Sequence, residues 1–173
     1  MLRKHLGVLL CPMLIVPAVA GAADGSSEPA AACERQGAVE RIADQVTAAR
    51  RALGEDDLDA VDTAQAVIVE TIPCLNEPIS PKVWTTHLIT LAVARYYRNE
   101  LWEPALGGAV ASDPTVHRAV GAGHPIATWT PPSAPASKYV VTRGTEAWLN
   151  GRPVSNLSDL TGPQLLQVRR DGH

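Results

Sequence analysis

Two groups of side chains in this sequence have types and spacings that could do chemistry. Cys33 and Cys74 could serve as a nucleophile or a redox pair, since the thiolate is the reactive form of cysteine. His117 and His124, with Asp113 shortly before them, offer the nitrogen and oxygen ligands that zinc accepts. The sequence therefore suggests two candidate activities: cysteine-based chemistry and metal-dependent hydrolysis.

Known catalytic motifs do not accompany these groups. The sequence has no Gly-rich phosphate loop, no His-Glu-x-x-His, no Gly-x-Ser-x-Gly and no Cys-x-x-Cys. The acidic run at residues 55–59 lacks the ligand spacing of a calcium loop, and helix capping accounts for it. We therefore expect no catalytic residues, no metal and no cofactor. A metal-dependent hydrolase that uses His117, His124 and Asp113 is kept as an alternative.

The spacing of the cysteines favours a disulfide over a reactive thiol. Gly54 lies between two helix-like segments, 21 residues after Cys33 and 20 before Cys74. Residues equidistant from the turn of an antiparallel helical hairpin lie side by side, because each residue advances a helix by about 1.5 Å. A Cys33–Cys74 bond would close the open end of such a hairpin and exclude a cysteine nucleophile. Two free, buried cysteines are the alternative.

Apolar residues recur at helical spacing on both sides of Gly54. They follow steps of three and four, and Gln65 interrupts the cleanest version of the second stripe. We expect Gly54 to adopt the left-handed conformation that ends a helix, and Asp56 to cap the next helix. The predicted stripes are Val39, Ile42, Val46, Ala49 and Leu53, then Leu58, Val61, Ala64, Ile68 and Ile72.

Residues 1–23 have the pattern of a secretory signal peptide. A positive start precedes an apolar run that ends in small residues, with candidate cleavage sites after Ala20, Ala22 and Ala23. The run is short for a membrane span of about 20 residues, which is the competing interpretation. Cleavage would remove Cys11 and export the chain to the periplasm or outside the cell, where an even number of cysteines favours a disulfide.

Composition narrows the classes of partner. The net charge is −3, and removal of the leader would make it −5. Nucleic-acid binding is disfavoured because phosphate contacts dominate that affinity and no basic run remains. Hydrophobic residues make up 46% of the chain and Phe is absent, which predicts a core of small and branched side chains between closely packed helices. Residues 24–32 are small and polar and predict a disordered tether.

A second pair of helices is predicted further along the chain. Ser80 and Pro81 are typical of a helix start, and this helix is expected to run over residues 81–98. Asn99 is placed to end it in the left-handed conformation. A fourth helix is expected over residues 101–112, with its proline in the first turn, where proline is tolerated.

Residues 80–114 form a unit of 35 residues that closes with Asp113 and Pro114. Counted back from that end, Leu106 and Ala109 take a large apolar and a small position of the second helix. In length and in these positions the unit resembles a tetratricopeptide repeat, whose period is about 34 residues. Tyr96, Tyr97 and Asn99 also match the family's aromatic-then-turn segment, whereas Thr86, Thr90 and Trp102 depart from its pattern.

The resemblance implies a function. Members of the repeat family bind other proteins through the concave face of their first helices, so a non-enzymatic protein-binding or scaffold role is expected. The positions carried over to that face are Trp84, His87, Leu88, Leu91 and Arg95. The alternative is that Trp84, Leu88 and Leu91 pack on the first helical pair. With its 73–78 loop and 123–125 turn, the chain is also similar to uncharacterised exported bacterial proteins with repeat-like helices.

The last part of the chain has a different pattern. Residues 123–137 are rich in Pro and Gly and predict a linker. In residues 138–173, β-branched and aromatic residues flank Asn150 and Gly151, a strong hairpin-turn pair. Three short strands bury little apolar area, so this tail either packs against the helices or needs a partner strand.

These observations together predict a mainly α fold. Two antiparallel, repeat-like helical hairpins occupy residues 33–122, followed by the Pro-rich linker and the small β tail. The favoured function is that of an exported bacterial envelope protein that binds an unidentified protein partner and has no membrane span after leader removal. A structural envelope subunit that pairs its C-terminal strands with another chain is the further alternative.

Overall fold

The computed structural model of the chain describes residues 37–130, 139–140, 145–157 and 164–170. The predicted leader and tether, Cys33 and residues 131–137 of the linker lie outside these ranges. The helices are α1 (Ala38–Gly54), α2 (Leu58–Thr71), α3 (Pro81–Tyr97) and α4 (Glu103–Ser112), with short 3-10 helices at Ile72–Cys74, Val116–Val120 and Pro125–Thr128. The strands are β1 (Tyr139–Val140), β2 (Thr145–Leu149), β3 (Arg152–Pro153), β4 (Asn156–Leu157) and β5 (Leu166–Arg170).

The first two helices form a tight pair, as the apolar stripes predict. Their buried residues come from those stripes and their neighbours: Ala38, Ile42, Val46, Ala49 and Ala52 in α1, and Val61, Ala64, Ile68 and Thr71 in α2. The turn between them differs from the prediction by two residues. Asp56, with φ 60°, takes the left-handed position that was expected of Gly54.

Backbone hydrogen bonds explain that shift. The N–H of Asp57 donates to the carbonyl of Ala52 at 2.9 Å, and the N–H of Asp56 donates to Leu53 at 3.3 Å, so Gly54 still lies inside the helix. The cap of α2 moves with the turn. Asp57, and not Asp56, accepts a hydrogen bond from the N–H of Ala60 at 2.9 Å.

The second pair begins and turns where the sequence predicts. Ser80 and Pro81 open α3, and Asn99 adopts the left-handed conformation after it, with φ 56°. In α4 both glycines and the alanines at positions 105 and 109 are buried, so the backbone of α4 can approach its neighbours closely. The buried residues of this helix are Ala105, Leu106, Gly107, Gly108, Ala109 and Ser112.

The two pairs pack against each other mainly through their first helices, α1 and α3. At one end, Ala49 and Ala52 of α1 meet Ala94 of α3 in an alanine-rich cluster, as expected for a core built from small side chains. The start of α2 is tied to the end of α3 by Arg98, which pairs with Asp62 and donates to the carbonyl of Leu58 at 2.8 Å.

A three-stranded antiparallel sheet with the order β3–β2–β5 forms in the C-terminal region. Asn150 and Gly151 make the two-residue turn between β2 and β3, with φ 52° and 80°, as the sequence predicts. There is a second reason for a glycine at position 151: a Cβ on Gly151 would lie 1.9 Å from the carbonyl oxygen of Ile79. The short strands β1 and β4 pair separately.

The sheet packs on the loop that joins the two helical pairs. The Gln167 side chain accepts from the N–H of Ile79 at 3.1 Å and donates to the carbonyl of Glu77 at 2.8 Å. Leu165, just before β5, joins the helical core beside Ile79 and Trp84. Of the two possibilities for the tail, packing on the helical region is therefore the one that the structure shows.

The predicted mainly α architecture with a small β tail is confirmed for the described part of the chain. Within that part, none of the helices combines the length and the apolar character that crossing a bilayer requires.

Candidate functional site

A cleft of about 380 Å³ opens beside α3. Its walls come from the C-terminal part of α1, one face of α3, the 3-10 helix Val116–Val120 and His124. The lining residues are Arg50, Leu53, Gly54, Thr86, Ile89, Thr90, Val93, Tyr97, Val116, Ala119, Val120 and His124. A mostly apolar concavity of this size, with a few polar groups, has the general form of a ligand-binding site.

Helical periodicity produces the α3 wall of this cleft. Thr86, Thr90, Val93 and Tyr97 follow steps of four, three and four, so they lie on one face of the helix. The Thr90 hydroxyl donates to the Thr86 carbonyl at 2.8 Å, which satisfies it within the helix. This wall therefore presents aliphatic groups, the Thr86 hydroxyl and the phenol of Tyr97.

Asp113 fixes the position of the wall formed by the 3-10 helix Val116–Val120. Its Oδ1 accepts from the N–H and the hydroxyl of Thr115, at 2.9 and 2.8 Å, in the turn between α4 and the 3-10 helix Val116–Val120. These two hydrogen bonds lower the pKa of the Asp113 carboxyl, because they favour its charged form. Asp113 thus acts as a turn residue that positions Val116 and Val120.

His124 forms one end of the cleft. Its Nδ1 accepts a hydrogen bond from the N–H of Ile126 at 3.2 Å, so the proton of the neutral ring lies on Nε2. The Nε2 is buried and has no hydrogen-bond partner within the described part of the chain. The ring contacts Tyr96 and Tyr97, with centroids at 4.6 and 5.9 Å.

Beyond His124 the aromatic contacts continue to the surface. Tyr96 meets Trp102 at 6.0 Å, and Trp102 meets Trp129 at 5.9 Å, both edge to face. At the same end of α3, Tyr97 is 54% exposed and Leu101 is 69% exposed. We call these two residues the α3-end patch. It adjoins the cleft through Tyr97, and both of its side chains are large and apolar.

The face predicted from the repeat resemblance lies mainly in the core. Trp84, His87 and Leu88 are buried, at 5%, 5% and 1% exposure, and Leu91 and Arg95 are half-buried. Trp84 and Leu88 pack with residues of α1, α2 and α4, as the packing alternative expected. A partner could reach only Leu91 and Arg95 of this set without separating the helices.

The cleft lies on a different face of the same helix. Each of three predicted residues precedes a cleft residue by two positions: Trp84 precedes Thr86, Leu88 precedes Thr90 and Leu91 precedes Val93. Two positions correspond to a rotation of about 200° around the helix axis. The sequence feature that could have indicated this face is the pair Thr86 and Thr90, which departs from the repeat pattern. A polar β-branched pair among apolar residues marks the side of α3 that faces the cleft.

His87 is a buried titratable residue. Its ring lies 4.8 Å from that of Trp84, centroid to centroid. Burial, and to a smaller extent the charge of Arg95, lowers the pKa of His87 to about 4. The imidazole is therefore neutral at physiological pH and behaves as part of the core.

The structure does not assemble the alternative metal site. Within residues 37–130 and the described strands, no three His, Cys, Asp or Glu side chains lie close enough together to hold a metal ion. Asp113 and His124 are instead engaged with Thr115 and Ile126.

Cys74 ends the 3-10 helix Ile72–Cys74 and is disulfide-bonded. The other two cysteines, Cys11 and Cys33, lie outside the described residues. The pairing with Cys33 therefore stays a prediction.

Comparison with known proteins gives no match: no protein-family profile, no characterised protein and no solved structure is significantly similar to this chain.

Proposed function

We propose that this protein is an exported, non-enzymatic binding module that holds a protein partner through its helical domain. The observation that carries the proposal is the exposure of Tyr97 and Leu101, at 54% and 69%, at the end of α3. Two large apolar side chains at the rim of a concave surface are typical of protein contact sites. Aromatic residues such as Tyr97 are enriched among the residues that dominate binding energy.

The helical arrangement supports a repeat-like scaffold. α1 and α3 are the first helices of successive pairs and contact each other, and the C-terminal end of α1 and one face of α3 both line the cleft. Leu106 and Ala109 are fully buried in α4, as the positions matched to the repeat family would require. The proposal places the working surface on the cleft side of α3.

A photo-crosslinking experiment in the native envelope tests this proposal. A benzophenone amino acid replaces Tyr97 or Leu101 in cells that make the protein naturally. We expect each to form the same discrete adduct with one partner. Lys82 provides the matched control, because it is also exposed and lies at the opposite end of α3, about 22 Å away.

The outcome is read from the adduct pattern. Leu101→Ala should reduce the Tyr97 adduct several-fold without changing the thermal midpoint, because Leu101 is mostly exposed. Adducts from neither position, or the same adducts from Lys82, would contradict the proposal.

Export is part of the proposal and has its own test. Mass spectrometry of the protein from producing cells should give a mature chain that begins after Ala20, Ala22 or Ala23. A chain that keeps residues 1–23 would refute cleavage.

A second function is favoured by the outer strand of the sheet. β5 is a terminal strand of the β3–β2–β5 order, and Leu166 and Val168 on it are 46% and 58% exposed. An exposed edge with apolar side chains suits pairing with a strand of another chain. Light scattering tests this second function: an assembly that Val168→Asp dissociates supports a structural subunit, and a monomer at all concentrations contradicts it.

A further inference from the structure

The cleft beside α3 has a chemical character that the protein-binding proposal does not use. Half of its lining residues are aliphatic, with Ile89, Val93 and Val120 among them. Arg50 supplies the one charged side chain among the described lining residues, and none of those residues is acidic. In a chain with a net charge of −3, a cleft without a carboxylate and with a guanidinium at its wall favours an anion.

A hydrogen-bond donor on the lining also points to an acceptor-bearing ligand. Tyr97 is 54% exposed and belongs to the lining of the cleft. Its phenol can donate to an oxygen of a bound anion. The Nε2 of His124 has no partner in the part of the chain described, but it is enclosed by protein atoms and does not contribute to this site.

Size limits the ligand. Because a small group in a liquid occupies about 30 Å³, a space of 380 Å³ holds about a dozen non-hydrogen atoms. An unbranched chain fits a cleft that follows one helix face better than a fused ring system does.

We propose that this cleft binds a medium-chain aliphatic carboxylate of about ten carbons. The chain lies against Ile89, Val93 and Val120, and the carboxylate interacts with the guanidinium of Arg50. The hydroxyl of Tyr97 is available to its oxygens. Tyr97 belongs both to the cleft lining and to the α3-end patch, whereas Leu101 is not part of the lining, so Leu101 allows the two proposals to be tested separately.

Amide chemical-shift mapping on the ¹⁵N-labelled mature protein tests the site. The probes are sodium decanoate, decanol and decyltrimethylammonium, all below their micelle concentrations. We expect saturable decanoate shifts centred on Thr86, Thr90, Val93 and Val120, with a dissociation constant on the order of 100 µM. Decyltrimethylammonium should bind at least tenfold more weakly, because Arg50 repels it.

Substitutions at Arg50 and Thr86 distinguish the contribution of the positive charge to binding from that of the apolar wall. Arg50→Gln should weaken decanoate about tenfold and leave decanol unchanged, while Arg51→Gln, an exposed neighbour outside the lining, should change neither. Thr86→Trp should fill the cleft and remove binding of both, with circular dichroism confirming that the helices are kept.

Several outcomes would overturn the proposal. These are shifts spread over the whole protein, equal binding of the cationic probe, and equal effects of the Arg50 and Arg51 variants. Crosslinking from Leu101 is scored separately, so a failure of the ligand proposal leaves the protein-binding proposal standing, and the reverse also holds.

Discussion

His87 shows how strongly this fold controls the charge of one side chain. It is 5% exposed and lies against the ring of Trp84. A proton on its imidazole would be buried without a counter-charge and near the guanidinium of Arg95. The native state therefore holds a proton on His87 less tightly than the unfolded chain does.

This difference predicts acid sensitivity. The pKa of His87 is lowered from 6.5 to about 4 in the folded protein, so stability is unaffected above pH 6.5 and falls as the pH drops towards 4. The loss should be about 2 kcal/mol at pH 5 and about 3 kcal/mol once the pH is below 4.

Urea denaturation at pH 7.5 and pH 5 measures the effect, with His87→Leu as the comparison. The variant should lose much less stability between the two pH values, because carboxylates that titrate there are common to both proteins. An equal loss in both would refute the role of His87.

Gly151 shows a constraint imposed by the backbone. Gly151→Ala would place a methyl group at a φ of 80° and 1.9 Å from the carbonyl oxygen of Ile79. We expect a loss of at least about 2 kcal/mol, from left-handed strain and forced separation of the turn from the loop. Gly123→Ala is the control, because its Cβ would meet nothing within 4 Å and its change should stay within about 0.5 kcal/mol. Thermal denaturation of both variants decides the comparison.

The residue scale also shows what the sequence could predict of the site. Tyr97 and Asn99 were identified at the end of α3, and their exposure and turn geometry agree with that position. The cleft residues Thr86 and Thr90 were noticed only as departures from the repeat pattern. A helix with apolar residues on most sides gives no clear periodic signal, so the sequence alone did not show which face of α3 is buried.

At the scale of elements, the sheet depends on β5 and the loop between the helical pairs. Three short strands are marginal in isolation, and two hydrogen bonds of Gln167 link this sheet to the backbone of Glu77 and Ile79. Leu165 adds an apolar contact with the core. The helical domain thus provides the support that the tail needs.

Gln167→Ala should therefore release the sheet. It leaves the buried N–H of Ile79 without its acceptor, at a cost of about 1–3 kcal/mol. Hydrogen exchange followed by mass spectrometry should show faster exchange in β2 and β5, with α1 to α4 unchanged. Val168→Thr, on the neighbouring exposed position, should leave exchange as in the parent protein. Unchanged exchange in Gln167→Ala would mean that Leu165 alone holds the sheet.

At the scale of the whole molecule, the disulfide of Cys74 joins the helical domain beside the loop that carries the sheet. If Cys33 is its partner, the bond closes a loop of about 42 residues and contributes roughly 4 kcal/mol by restricting the unfolded chain. Reduction should lower the urea midpoint accordingly, and peptide mapping without reductant should recover Cys33 and Cys74 in one linked pair. A Cys74→Ser variant is the control, because reductant should not change its midpoint. Two titratable thiols in the mature protein would refute the bond.

The sequence by itself determined the helix positions, the helix starts and turns at Ser80, Asn99 and Asn150, and the change to strands near the C-terminus. Each of these rests on neighbours a few residues apart, and local sequence controls such interactions directly. The cleft, the docking of Gln167 on Ile79 and the neutral state of His87 were decided only by the tertiary structure. They depend on side chains that are distant in sequence, or on the burial that packing imposes, and neither spacing nor composition records which faces meet.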